Sequence, residues 1–230
     1  MQLQPPPSKP LYLQAAREQM IEQQLRTWEV LDSRVLDAVA GVRRENFVPE
    51  AYRDVAFADA QIPLGHGQSM LQPKVDGKIL QVLAILPTDY VLDVGTGSGF
   101  LAACMGRLAE RVRSVEVIAD LADRARQNLR AAATNNVVVD AVDATALTEE
   151  NRYDAIAVTA SIPPHNDELE QRFARALKLN GRLFMVVGAA PVMEAIKLTR
   201  TTASHWQREN LFETVIEPLM NAQRPSAFVF

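Results

Sequence analysis

The chain has 230 residues, of which 48% are hydrophobic and 23% charged; that is enough for one sizeable core and too apolar for a disordered protein. Its 24 Lys and Arg against 28 Asp and Glu leave a formal charge of −4, and with no long basic stretch a nucleic-acid backbone is excluded as the main partner. The single cysteine, Cys104, excludes an intramolecular disulfide framework, and three scattered histidines, His66, His165 and His205, give no metal-ligand spacing. No apolar run is long enough to span a bilayer, and the proline-rich start lacks the apolar core of a secretory leader, so a soluble, cytoplasmic protein is expected.

Pro5, Pro6, Pro7 and Pro10 make residues 1–13 an extended lead-in. From Ala15 the pattern turns helical, with Met20, Ile21 and Leu25 on one face. Asp32 is placed as the N-cap of a short second helix that carries Val35, Leu36 and Val39 and stops at Gly41. An irregular stretch then runs from Arg43 through Ile62-Pro63-Leu64-Gly65-His66-Gly67-Gln68, and loops of that length in compact domains usually carry function. A helix resumes near Pro73 and continues to about Leu86, with Val75, Ile79, Val82 and Leu83 inward. Residues 14–88 are thus expected as an N-terminal helical and loop region covering the functional site, and residues 89–230 as the α/β core.

From Tyr90 the rhythm becomes strand, helix, strand. Tyr90–Val94, Arg113–Val117, Val137–Val142, Asp154–Thr159 and Gly181–Gly188 are near-continuous apolar strands. Phe100–Leu108, Ala119–Ala133 and Glu168–Leu177 are amphipathic helices between them. This alternation predicts a doubly wound parallel sheet covered on both faces. Ala195–Thr202 and Leu211–Pro218 follow without a helix between them, so they are expected to form a hairpin at the sheet edge.

The sharpest local signal is Asp93-Val94-Gly95-Thr96-Gly97-Ser98-Gly99, between the first strand and its helix. Glycines there let a ligand approach the main chain, and the helix start offers free N–H groups, so Asp93, Gly95, Thr96, Gly97, Ser98 and Gly99 are expected as cofactor contacts. A dinucleotide fingerprint has two residues before its third glycine, and here there is one. A pyrophosphate also does not favour a carboxylate, Asp93, two residues before the first glycine. A nucleoside without phosphates, bearing an amino acid and a cationic sulfur, fits better: S-adenosylmethionine. Glu116, beside Val117 at the end of the second strand, is placed to accept the ribose hydroxyls. Asp143, beside Ala144 after the third, is placed to meet the adenine amino group, and Thr159 ends the fourth strand at the same pocket. His66 is weighed as an acceptor-site residue, and Arg43, Arg44 and Arg200 as attractors of an acidic peptide, against the ordinary roles of solvated or paired side chains.

The chain resembles the protein-L-isoaspartate O-methyltransferases, class I S-adenosylmethionine-dependent enzymes, over nearly its whole length. The resemblance rests on Arg44-Glu45-Asn46-Phe47-Val48-Pro49, Pro63-Leu64-Gly65-His66-Gly67-Gln68, Tyr153-Asp154-Ala155-Ile156-Ala157-Val158-Thr159-Ala160 and Glu217-Pro218-Leu219. It implies a Rossmann-like seven-stranded sheet ending in the hairpin, with Gln68 and Ser69 beside the methyl donor. It also implies methylation of the free carboxylate of isoaspartyl residues in aged proteins. The chain departs from the family at one point: Leu71 stands where the family has a serine, and Ser69 where it has a threonine, leaving Ser69 as the candidate catalytic hydroxyl. Two other readings stand beside this one: a methyltransferase with a different acceptor, and a non-catalytic S-adenosylmethionine-binding protein.

Overall fold

The computed structural model describes residues 9–222. Helix α1 (Lys9–Met20) passes into a π-helical turn at Ile21–Leu25 and a 3-10 turn at Arg26–Trp28. Residues 9–13, expected as extended lead-in, are therefore helical; Pro10 falls where a helix's first turn needs no N–H. Residues 1–8 of that lead-in, and residues 223–230 of the expected core, lie outside the described residues. Helix α2 (Ser33–Gly41) starts at its expected cap, with the Asp32 carboxylate accepting from the Arg34 N–H at 2.9 Å.

The stretch expected to be irregular contains 3-10 turns at Arg44–Asn46 and Glu50–Val55 and an antiparallel hairpin, β1 (Ile62–Gly65) and β2 (Gln68–Met70). His66 and Gly67 both take positive φ, 55° and 69°, as a two-residue type I′ turn demands. The glycines and Pro63 masked this hairpin from pattern-based expectation. Helix α3 (Pro73–Leu83) begins with proline at its first position and ends short of Leu86 because Ala84 turns left-handed, φ 44°. Ile79, Leu80 and Leu83 are fully buried, each contributing about 2 kcal/mol of hydrophobic stabilisation.

The core alternates β3 (Tyr90–Val94), α4 (Phe100–Leu108), β4 (Arg111–Val115), α5 (Ala119–Ala131), β5 (Val137–Asp140), β6 (Tyr153–Ile162), α6 (Asp167–Ala176) and β7 (Leu177–Ala189). β8 (Val192–Arg200) and β9 (Trp206–Glu213) complete a seven-stranded sheet of order β5-β4-β3-β6-β7-β8-β9. Strands β3 to β7 run parallel, and β8 and β9 form the expected antiparallel hairpin. Residues alternate between two cores. On β3, Val91 packs with α2, α3 and α4, whereas Leu92 and Val94 pack with α6, so Asp93 shares the face of Val91. From β3 the connections run outward in both directions, opening a crevice beyond the carboxyl ends of β3 and β6. Among the described residues no helix is long and apolar enough to cross a membrane.

Arg182 on β7 pins the end of α3 to the sheet. It donates to the carbonyls of Leu83 (2.8 Å), Ala84 (2.9 Å) and Asp154 (3.2 Å) and pairs with buried Asp89 at 2.7 Å. Arg182→Ala is expected to cost about 3 kcal/mol, since it strands a buried carboxylate and three carbonyls. Urea unfolding measures this, and an unchanged midpoint would contradict it.

Candidate active site

The crevice is built on the turn from β3 to α4. Gly95 and Thr96 donate their N–H groups to the Val115 carbonyl at 2.9 and 3.3 Å. Gly95 has φ 94°, and a Cβ there would fall 2.8 Å from Thr159 Oγ1, which donates to the Val94 and Gly95 carbonyls. Gly97 has φ 53°, and a Cβ there would press on Leu64 at 3.2 Å. Only glycine satisfies both positions without strain. The Gly97 N–H donates to Glu116 Oε2 at 2.9 Å, and the Ile118 N–H to Oε1 at 3.1 Å. A carboxylate has about four acceptor positions, so Glu116 keeps two for a ligand.

The cavity at this turn brings together Gln68, Ser69, Leu71, Gly95, Thr96, Gly97, Ser98, Glu116, Val117, Asp143, Ala144 and Thr159. Of the residues picked out in the sequence, Asp93 and Gly99 are not in its wall. Gly99 starts α4 with φ 86°. Asp93 lies beneath the loop, accepting from Ser114 Oγ at 2.6 Å, and Ser114 in turn meets Thr96 Oγ1 at 2.6 Å. Burial pushes the Asp93 carboxyl up to about 7; the Ser114 hydrogen bond works against this, while the charges of Glu116 and Asp76 add to it. Its Oδ1 is buried without a partner. Burial also raises Asp143, but the Thr145 N–H and hydroxyl and the Asn221 amide more than offset it, leaving that acid below the ordinary carboxylate range.

Several arrangements escaped the sequence. Asp76 on α3 lines the cavity and pairs with buried Arg44 at 2.6 Å. Burial pushes Asp76 up to about 6 despite that charge. Asp76, Leu80 and Leu83 follow i, i+4, i+7 spacing, so a carboxylate on an apolar stripe was the available signal. Arg44 is spent on Asp76 and the Ala56 and Leu71 carbonyls, and Arg200 on the carbonyls of Leu177, Thr202 and Ala203. Neither serves as an attractor for an acidic peptide. His66 sits at the hairpin turn, 2.8 Å from Asp120, outside the cavity wall. Residues 216–220, partly assigned to a last strand, instead form a strap along the end of β6: Ser161 N–H donates to the Glu217 carbonyl and Leu219 N–H to the Ser161 carbonyl, both at 2.8 Å. Asn221 then reaches Asp143 at 2.9 Å.

A model of the family described as protein-L-isoaspartate(D-aspartate) O-methyltransferase matches residues 15–223. The chain belongs to this family. A protein-L-isoaspartate O-methyltransferase of Rhodopseudomonas palustris is 38% identical over 206 residues, covering 89% of this chain and 93% of the relative. One from Methanoculleus marisnigri is 38% identical over 200 residues, 86% of each chain. Among solved structures, a Plasmodium falciparum protein described as a protein-L-isoaspartate O-methyltransferase, in complex with S-adenosyl-L-homocysteine, superposes with a TM-score of 0.75 at 20% identity. It covers 90% of this chain and 97% of that one.

Within this family fold, Asp93 makes stability depend on pH. Its carboxyl titrates at about 7 when folded against 3.8 otherwise, so the native state binds the extra proton. That stabilisation is complete below pH 4 and is lost as pH rises through about 7, a change on the order of 4 kcal/mol at most. Asp93→Asn is expected to remove this slope. Unfolding free energies at pH 4.5, 6 and 7.5 check it; parallel curves for wild type and variant would contradict it.

Proposed function

We propose that the protein is an S-adenosylmethionine-dependent methyltransferase that esterifies the carboxylate of isoaspartyl residues in damaged proteins. One observation carries the cofactor assignment. Among the described residues the cavity wall bears four carboxylates, Asp76, Glu116, Asp143 and Glu217, and no basic side chain. Such a wall repels a phosphate at short range and low dielectric and attracts a cation. A sulfonium nucleoside has that charge, and the Plasmodium falciparum neighbour is described in complex with its demethylated form, S-adenosyl-L-homocysteine, which supports the nucleoside assignment. The names of relatives aligned over nearly their whole length support the acceptor.

The residues present suit the group. Glu116 offers its two open acceptor positions to the ribose hydroxyls, Asp143 faces the adenine amine, and Val117 and Ala144 supply apolar walls beside them. The glycine loop presents main chain, with Thr159 and Gly99 fixing its shape. When bound, the cofactor supplies an electrophilic methyl group on a cationic sulfur. At neutral pH an acceptor carboxylate is already ionised, so no side chain has to remove a proton. The task of Gln68, Ser69, Met70, Leu71 and Phe100 is to align the acceptor and exclude water. Ser69 carries the hydroxyl available for orientation, because Leu71 has none. A cytoplasmic setting belongs to this reading; the free, buried Cys104 suits a reducing compartment.

The test is transfer of a radiolabelled methyl group to an isoaspartyl peptide and to its aspartyl counterpart. Label is expected on the first alone. A hydroxyl restored by Leu71→Ser is expected to raise kcat/KM about fivefold, the equivalent of one neutral hydrogen bond. Label on neither peptide, with the cofactor bound, would contradict the acceptor assignment.

A further inference from the structure

The assignment above leaves Asp76 without a role, although it is 2% exposed and lines the same cavity. Its Oδ2 takes the Arg44 hydrogen bond, and among the described residues Oδ1 has no hydrogen bond. Nearby, Asp93 Oδ1 is buried and unpartnered as well, and the two acids interact electrostatically. The charged and titratable groups facing this end are Arg44 from the 3-10 turn, Asp93 on β3, Cys104 on α4 and Glu116 after β4. Burial holds the Cys104 thiol neutral. Asp76, Asp93 and Glu116 are thus the three acids here, and Arg44, whose donors are already committed to Ala56, Asp76 and Leu71, is the cation that faces them. This end of the cavity therefore gathers three carboxyl groups around one committed cation and offers an open carboxylate oxygen on Asp76.

Topology says which part of a ligand meets it. The sheet order β5-β4-β3-β6-β7 sets Asp143, Glu116, the glycine loop and Thr159 in a row along the carboxyl edge. Helix α3 packs on β6 and β7, beyond the far end of that row. A nucleoside with its base at Asp143 and its ribose at Glu116 directs its amino-acid end toward α3. We propose that Asp76 is a cofactor-binding residue whose open carboxylate oxygen receives the α-ammonium of S-adenosylmethionine, with Arg44 holding that carboxylate in place. The inference rests on the cofactor assignment above. An acceptor carboxylate is a poorer occupant: it would bring a further negative charge against Asp76, where the ammonium brings the compensating positive one.

Calorimetry with two probes tests this: S-adenosyl-L-homocysteine, and its analogue in which a hydroxyl replaces the α-ammonium. Wild type is expected to prefer the ammonium form by roughly 10- to 100-fold, the range of one charge-assisted hydrogen bond. Asp76→Asn is expected to lose that preference while binding the hydroxyl analogue as wild type does. Because Asp76→Asn leaves buried Arg44 unpaired and can fail to fold, the double variant Arg44→Met/Asp76→Leu removes both charges and is expected to show the same loss of preference. Equal affinity of wild type for both probes would overturn the inference, as would a variant that keeps the preference or weakens both probes alike. If wild type binds neither probe, the cofactor assignment itself fails, and the two failures are thereby told apart.

Discussion

A carboxylate buried under a glycine turn is an awkward object, and much of this molecule is arranged around one. Asp93 stands on the central strand between Ser114 and Ala157 of its neighbours. Ser114 links it to Thr96 at 2.6 Å on each side. Glu116 grips the Gly97 N–H from the next strand, and Thr159 bonds back to Val94 and Gly95 from the other side. Side chains from three adjacent parallel strands thus hold four residues of turn in a conformation that two positive-φ glycines make accessible. Such a loop needs little reorganisation when a ligand arrives, which favours affinity.

The N-terminal layer closes the same cavity from above. Its hairpin contributes Gln68, Ser69 and Met70, and α3 brings Asp76 against Arg44 from the 3-10 turn. Arg44 also lies over the Phe100 ring at 4.7 Å and donates to the Leu71 carbonyl, so one buried guanidinium joins the lid, α3 and the first residue of α4. A buried pair of this kind adds little net stability but penalises any arrangement that separates its members. Its consequence here is registration of the lid over the glycine loop. The strap at residues 216–220 does the corresponding work on the opposite side, tied to Ser161 by two main-chain bonds.

What was legible in the sequence was local. The glycine spacing, the Asp32 cap, and the apolar strands between amphipathic helices each depend on residues a few positions apart, and the structure has them close to where expected. Glu116 and Asp143 could be placed because strand ends in a parallel sheet converge on one edge. The hairpin at residues 62–70 was hidden because its strands are short and carry Pro63 and two glycines. Asp93 was grouped with the loop by sequence adjacency, which does not say which sheet face a side chain takes; alternation with Val91 sends it beneath the turn, outside the cavity wall. For Arg44 and Arg200 the sequence left attraction of a partner and ordinary pairing open, because the acceptors that decide it, Asp76 for Arg44 and Leu177 for Arg200, lie 32 and 23 residues away. Asp76 was the most instructive omission: its signal, an acid on an apolar helical stripe, was present but gained meaning only beside Arg44.

The central claim is that an acidic, phosphate-averse cavity holds a cationic nucleoside at the carboxyl edge of the sheet. Parallel calorimetric titrations of the purified protein with S-adenosylmethionine and with NADH test it most directly. Saturable binding of the first is expected, with no heat from the second at millimolar concentration. Binding of NADH by a protein that ignores S-adenosylmethionine would contradict it.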